Sequence, residues 1–150
     1  MCGIAGEFST SGADAEAVRR MRGALAHRGP DGEGLFLSPC GRVALAHVRL
    51  AIRDPSPAGA QPMGSPDGSV QVVFNGAIVN DVELRADLEQ EGCAFRSRSD
   101  TEVLLHAYRT WGTDCVRRLR GLFAFAVWDA ARGRMFLARD RFGEKPLCYR

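Results

Sequence analysis

The chain has 150 residues, of which 45% are hydrophobic and 25% are charged, as in an ordinary globular protein. Its formal net charge of +2 gives no basis for binding nucleic acid or an anionic membrane. The length predicts a single domain with a real hydrophobic core, and no apolar run is long enough to span a membrane.

The five cysteines are an odd number, widely spaced and without a C-x-x-C pair. The sequence therefore predicts neither a disulfide framework nor a zinc site, and the scattered histidines add no metal-ligand pattern. The N-terminus lacks the basic and apolar pattern of a signal peptide, so a cytoplasmic location with reduced thiols is expected.

In chain order, the hydrophobic pattern alternates between the periods of strands and helices. Strands are predicted at residues 4–8, 35–37, 43–52, 70–75, 122–128 and 135–138. Helices are predicted at residues 15–26, 81–91, 100–111 and 113–119, with N-caps at Asp14, Ser99 and Thr113 for the first, third and fourth. Residues 55–68 carry four prolines and are predicted to form a loop.

The sequence also predicts which residues of several strands and helices are buried. The strand at residues 122–128 is apolar on both faces, which indicates that it is covered on both sides. The sequence therefore favours layered sheets enclosed by helices. On the second helix Val82, Leu84 and Leu88 are the candidate core positions. His47 is predicted to be a satisfied core histidine, and His106 to be partly exposed.

Cys2 is the first candidate for chemistry because a small residue after the initiator methionine allows Met1 to be removed. The mature N-terminal residue would then carry a thiol and a free α-amine, whose ordinary pKa values are about 8.5 and about 7.7–8.0. Such a residue can serve as nucleophile and base together. The alternative is an ordinary small residue buried before a strand.

Three further features could complete a site for an amino-acid amide. At the predicted strand end, the Asn75 side chain and the Gly76 N–H could converge on an oxyanion, although Asn-Gly is also a common turn. Arg49 could bind a carboxylate or simply be a surface residue. Asp100 could bind an ammonium group or only cap a helix.

Eight short motifs follow one another along the chain. They are M-C-G-I-A-G at 1–6, H-R-G-P-D-G at 27–32, R-L-A-I at 49–52, Q-P-M at 61–63, F-N-G at 74–76, S-D-T-E at 99–102, G-L-F-A-F at 121–125 and A-R-D-R-F-G at 138–143. In this order they resemble the class II glutamine amidotransferase domain, an N-terminal nucleophile glutaminase, of asparagine synthetases. The resemblance covers nearly the whole chain.

The resemblance implies an α+β fold, a four-layer αββα sandwich of the N-terminal nucleophile hydrolase type, with Cys2 at the end of a central strand. It implies hydrolysis of L-glutamine through a γ-glutamyl thioester on Cys2. It assigns the oxyanion hole to Asn75 and Gly76, the α-carboxylate to Arg49 and the α-amino group to Asp100. Further residues that it implies in the glutamine pocket are Leu50, Ile52 and Ala77.

The chain departs from this family at three places. Ala77 and Val79 replace a glutamate and an aromatic residue, and the lost charged contact is expected to weaken glutamine binding by about 1.5–3 kcal/mol. Arg53 replaces an aliphatic residue, for which the sequence offers no explanation. The chain ends at Arg150, so the domain at residues 1–150 is expected to lack its last strands.

The leading interpretation is a glutaminase domain that feeds ammonia to an ATP-dependent synthetase domain, absent from this chain, which amidates aspartate to asparagine. No cofactor and no metal are expected in this domain; ATP and Mg²⁺ belong to the synthetase. The expected partners are L-glutamine, a synthetase domain in the same or another chain, and a second copy in a homodimer. Two alternatives stay open: a catalytically weak or silent docking module, and the glutaminase half of a synthetase with another acceptor.

Overall fold

The computed structural model describes residues 1–150, in which strands and helices are interspersed. The strands are β1 Gly3–Phe8, β2 Gly32–Leu37, β3 Val43–Arg49, β4 Met63–Gly64, β5 Val70–Ile78, β6 Gly121–Asp129 and β7 Arg134–Arg139. The helices are α1 Ala15–Ala24, α2 Asp81–Gln90, α3 Asp100–Trp111 and α4 Cys115–Arg118, with short 3-10 turns at Ala26–Arg28, Pro57–Gly59 and Gly112–Asp114. No helix has the length and apolar character needed to cross a bilayer.

The strands form two antiparallel sheets. The first has the order β1-β3-β2, and the second has the order β4-β5-β6-β7. The central strand of the first sheet is therefore β3, while β1, which follows Cys2, lies at an edge. The expectation that Cys2 adjoins a central strand is thus wrong for the first sheet as the structure describes it.

Three apolar clusters hold the layers together, so the predicted four-layer αββα arrangement is confirmed. Val18 of α1 packs on Ala44 and Ala46 at the outer face of the first sheet. Residues such as Leu45 and Trp128 fill the space between the two sheets. The largest cluster joins the outer face of the second sheet to α2 and α3. Strand β6 contributes to both of the latter clusters, which explains its two apolar faces.

The predicted strands are all present, but one boundary matters for the site. Asn75 and Gly76 were expected to end their strand, whereas β5 continues to Ile78 and pairs Gly76 with Phe123. The reason is a long-range contact. Strand β6 pairs with β5 as far as Gly121, opposite Ile78, and this strand pairing overrides the local preference of Asn-Gly for a turn.

The helix caps follow the sequence only in part. The Asp14 and Ser99 side chains accept hydrogen bonds from the first turns of α1 and α3, as predicted. Thr113 does not cap the fourth helix, because a 3-10 turn occupies Gly112–Asp114 and α4 begins at Cys115. The Glu102 carboxylate binds backbone N–H groups of the preceding loop instead of closing a capping box.

The elements packed against α2 and α3 decide which residues of these helices are buried. Leu84 and Leu88 are buried as predicted, but Val82 is 76% exposed because it lies on the outer side of α2. Helix α3 packs against α2 on one side and against β4 and β5 on the other. His106 is consequently 4% exposed, and the prediction that it is partly exposed is wrong.

His47 lies on β3 and is buried, as predicted, but it is not satisfied. Neither ring nitrogen has a hydrogen-bond partner of ordinary geometry within the protein, and the nearby Phe74 backbone only partly opposes the effect of burial on the pKa of His47. Burial lowers the pKa of His47 from 6.5 to about 4. The folded protein therefore holds a neutral imidazole at a pH where the unfolded chain binds a proton.

This difference predicts an acid-sensitive stability. Between pH 7 and pH 5 the unfolded state takes up a proton on His47 and the folded state does not, so the free energy of unfolding falls as the pH falls. The expected loss is about 2 kcal/mol. Urea unfolding at both pH values measures it. The variant His47→Gln should lose about 2 kcal/mol less between pH 7 and 5, and equal losses would contradict the assignment.

Asp140 organises the segment after β7. Its carboxylate accepts hydrogen bonds from four backbone N–H groups, those of Phe123, Phe142, Glu144 and Lys145, at 2.9–3.2 Å. Burial alone would raise the pKa of Asp140, but these donors outweigh it and lower the pKa to about 2. The bonds place Lys145 beside Met1.

Asp140→Asn is expected to lower the free energy of unfolding by about 1.5–3 kcal/mol, since an uncharged amide loses the charge-assisted part of these bonds. Urea unfolding at pH 7 measures the change. Asp114→Asn is the matched control, because Asp114 and its partner Arg117 are both exposed and their pair contributes about 0–1 kcal/mol. Equal effects of the two substitutions would refute the role of Asp140.

Candidate active site

One cavity of about 260 Å³ gathers every residue that the sequence singled out. It opens where the start of β1, the end of β3, the middle of β5 and the start of α3 meet. Its lining contains all eight candidate residues: Cys2, Arg49, Leu50, Ile52, Asn75, Gly76, Ala77 and Asp100. The fold thus brings together residues up to 98 positions apart; the role of each remains a prediction.

The Cys2 thiol is held at the rim of this cavity. The Leu50 N–H donates to Cys2 Sγ at 3.4 Å, and the Leu50 carbonyl oxygen lies 3.8 Å from the same sulfur. On the other side, Arg28 Nε donates to the Cys2 carbonyl at 3.0 Å. Met1 is 58% exposed, and its peptide bond makes the Cys2 nitrogen an amide. The thiol is therefore oriented, and a free α-amine requires removal of Met1.

The hydrogen-bond pattern of β5 leaves one N–H group facing the cavity. Phe123 of β6 directs both its N–H and its C=O to Asp140, so Phe123 and its partner Gly76 form a non-hydrogen-bonded pair. Gly76 therefore directs its N–H to the opposite edge of β5. At that edge the Phe74 N–H donates to Gln61 Oε1 at 2.6 Å and the Ile78 N–H donates to Asp100 Oδ2 at 3.0 Å. Gly76 lies between these two bonded groups.

A side chain would not fit at Gly76. The Leu122 carbonyl and the Phe123 backbone occupy the space where a Cβ would lie. The residue before it, Asn75, points to the face of β5 that carries Val73, toward the first sheet. Asn75 is 6% exposed and its amide has no partner within the protein. The Asn75 amide and the Gly76 N–H are thus two unengaged donors at one cavity wall.

Arg49 ends β3 and is fixed by the loop that follows. Its Nη1 donates to the Ser56 carbonyl at 3.0 Å, and its Nη2 contacts the Asp54 carbonyl. Gly59 is tolerated beside this guanidinium only because it lacks a Cβ. A guanidinium has five N–H donors, so this loop engages part of Arg49 and leaves the rest for a ligand.

Asp100 is the first residue of α3 and is 5% exposed. Burial raises the pKa of its carboxyl group, while the hydrogen bond from Ile78 and the charge of Arg53 act in the opposite direction. The helix N-terminus also favours a negative charge at this position. Asp100 is the buried carboxylate that could receive a substrate cation.

Sequence reasoning missed several residues that position this site. Gln61 donates from Nε2 to Thr101 Oγ1 at 3.0 Å and links α3 to β5. Glu102, 2% exposed, receives the N–H groups of Arg96 and Ser97 and fixes the loop that leads to α3. Their motifs were visible in the sequence, but nothing local distinguished a positioning role from a surface role.

The comparisons with known proteins agree with this geometry. A family model described as a glutamine amidotransferase domain matches residues 1–150. An asparagine synthetase (glutamine-hydrolysing) of Bacillus subtilis is 39% identical over 99% of this chain and 24% of its own length. A putative asparagine synthetase of Mycobacterium tuberculosis is 41% identical over 98% of this chain and 25% of its length. The chain spans about a quarter of these relatives.

A solved structure of glutamine phosphoribosylpyrophosphate amidotransferase from Bacillus subtilis has the same fold. The two superpose with a TM-score of 0.73 at 24% identity, over 93% of this chain and 36% of the other. This likeness supports the layered fold described above. With the family model and the relatives taken together, the chain belongs to the glutamine amidotransferase domain family.

Proposed function

We propose that this chain hydrolyses L-glutamine to glutamate and ammonia, with Cys2 as the nucleophile. The observation that carries the proposal is the convergence of the Cys2 thiol, the unengaged donors of Asn75 and Gly76, and the charges of Arg49 and Asp100 on one cavity. Arg49 would bind the α-carboxylate and Asp100 the α-ammonium, and backbone groups of Leu50 and Ile52, together with Ala77, would line the pocket.

The reaction begins after Met1 has been removed. The Cys2 α-amine takes the thiol proton, and Sγ forms a bond to the amide carbon of glutamine. The Asn75 amide and the Gly76 N–H stabilise the resulting oxyanion. The amine then gives its proton to the leaving nitrogen, the C–N bond breaks and ammonia leaves. Water attacks the γ-glutamyl thioester in the second half, which releases glutamate and restores the thiol.

The relatives suggest where the ammonia goes. They are named glutamine-hydrolysing asparagine synthetases, and this chain covers only about a quarter of each. We propose that a synthetase domain, in the same polypeptide or in a partner, uses the ammonia to amidate aspartate with ATP and Mg²⁺. An acceptor other than aspartate is the alternative, since the acceptor site lies outside these 150 residues.

A second candidate function is a catalytically silent docking module. Ala77 favours it, because it lies on the same face of β5 as Asn75 and leaves the amine end of the pocket without a second carboxylate. Arg53 beside Asp100 acts in the same direction.

Glutamine turnover and labelling of Cys2 separate these two functions. Ammonia release from L-glutamine should be abolished in Cys2→Ala and retained in Cys40→Ala, because Cys40 is exposed and outside the cavity. The glutamine analogue diazo-oxo-norleucine should label the wild-type protein once, at Cys2. Intact-mass measurement reports both the labelling and the loss of Met1. No ammonia release above background by the wild type, with no labelling, would support the docking module instead, and equal release above background by wild type and Cys2→Ala would exclude Cys2 as the nucleophile.

Asn75→Ala is expected to lower kcat by about 10²–10³ with little change in KM, since the lost donor acts on the transition state. Steady-state ammonia release measures both constants. Gln71→Ala is the control, because Gln71 lies on the same strand but outside the cavity. A rise in KM at unchanged kcat would place Asn75 in substrate binding and contradict the oxyanion role.

A further inference from the structure

Arg53 forms an ion cluster at the wall of the cavity. Its Nη1 lies 2.6 Å from Asp81 Oδ2, at the start of α2, and its Nε lies 3.9 Å from Asp100 Oδ2, at the start of α3. The Arg53 side chain is 38% exposed and borders the cavity. The guanidinium therefore joins two helix N-termini at the end of the pocket that contains Asp100.

Both contacts are held in place by the fold. Asp81 and Asp100 are the first residues of their helices, where the helix dipole stabilises a negative charge. The hydrogen bond to Asp81, opposed by partial burial and aided by the charge of Asp100, raises the pKa of Arg53. Arg53 is thus a fixed cation within reach of the carboxylate that a substrate ammonium would use.

Asp81 and Asp100 share this cation, and Asp81 is the closer partner. Asp100 Oδ2 already receives the Ile78 N–H in addition to facing Arg53. Ala77 adds no charge on the neighbouring wall. The carboxylate end differs, since the Arg49 guanidinium is fixed by the loop carbonyls of Asp54 and Ser56 and forms no salt bridge, although the Asp54 carboxylate is close enough to interact with its charge. The pocket therefore still attracts the α-carboxylate of a ligand through Arg49, whereas its attraction for the α-ammonium group at Asp100 is reduced.

We propose that Arg53 sets the substrate specificity of this pocket by partly offsetting the charge of Asp100. The inference rests on the proposed glutaminase function and deepens it. The pocket discriminates little between L-glutamine and a primary amide that has the same carboxylate but no α-ammonium, such as glutaramate. Binding then depends mainly on the Arg49 end and on the amide group.

The test measures binding of L-glutamine and of glutaramate by calorimetry, in a Cys2→Ala background that prevents turnover. Arg53→Leu should tighten glutamine binding about tenfold while changing glutaramate binding less than about twofold, because only glutamine carries the ammonium. Arg53→Gln should act likewise, and it serves if the leucine variant does not fold. Arg53→Lys keeps the charge and should keep the wild-type ratio.

The matched control is Arg98→Leu, which removes the same charge from an exposed side chain outside the cavity. It should change neither affinity by more than about twofold. An equal effect of Arg53→Leu on both ligands, or weaker glutamine binding, overturns the role of Arg53 while leaving the glutaminase intact. Absence of binding of both ligands in every variant overturns the proposed function, and the inference with it.

Discussion

The alternating direction of the hydrogen bonds along β5 is the constraint on which the site depends. A strand presents its N–H groups to one edge at every second residue, and here the edge at Phe74, Gly76 and Ile78 faces loops instead of a full neighbouring strand. Gln61 and Asp100 take the first and last of these donors. The middle donor is left for a ligand, and the same contacts fix β5 to the start of α3.

The two halves of the site come from different sheets and are held by different means. Cys2 is placed by Arg28 and by the backbone of Leu50, all within the layer of the first sheet and its loops. Asn75 belongs to the second sheet and is placed by pairing with β6. The apolar cluster between the sheets joins these halves, so the distance between the Cys2 thiol and the Asn75 amide depends on core packing.

The two charged residues of the pocket, Arg49 and Asp100, have different electrostatic surroundings. Arg49 is fixed by backbone carbonyls and forms no salt bridge, whereas Asp100 lies within ion-pair distance of the Arg53 guanidinium. Ala77 and Arg53 both border the end of the cavity that contains Asp100, whereas Cys2 and Gly76 are as the glutaminase resemblance implies.

The sequence by itself determined the kind of fold and the set of residues that line the cavity, because local periodicity and ordered motifs need no knowledge of packing. Only the tertiary structure decided that β5 continues past Asn75, that His106 is enclosed and that Arg53 lies within ion-pair distance of Asp100. Each of these depends on partners about 20 to 50 residues away in sequence: β6 for Asn75, α2 and β5 for His106, and the start of α3 for Arg53. Strand pairing, burial of a side chain and ion pairing between segments so far apart cannot be recognised from the local sequence pattern.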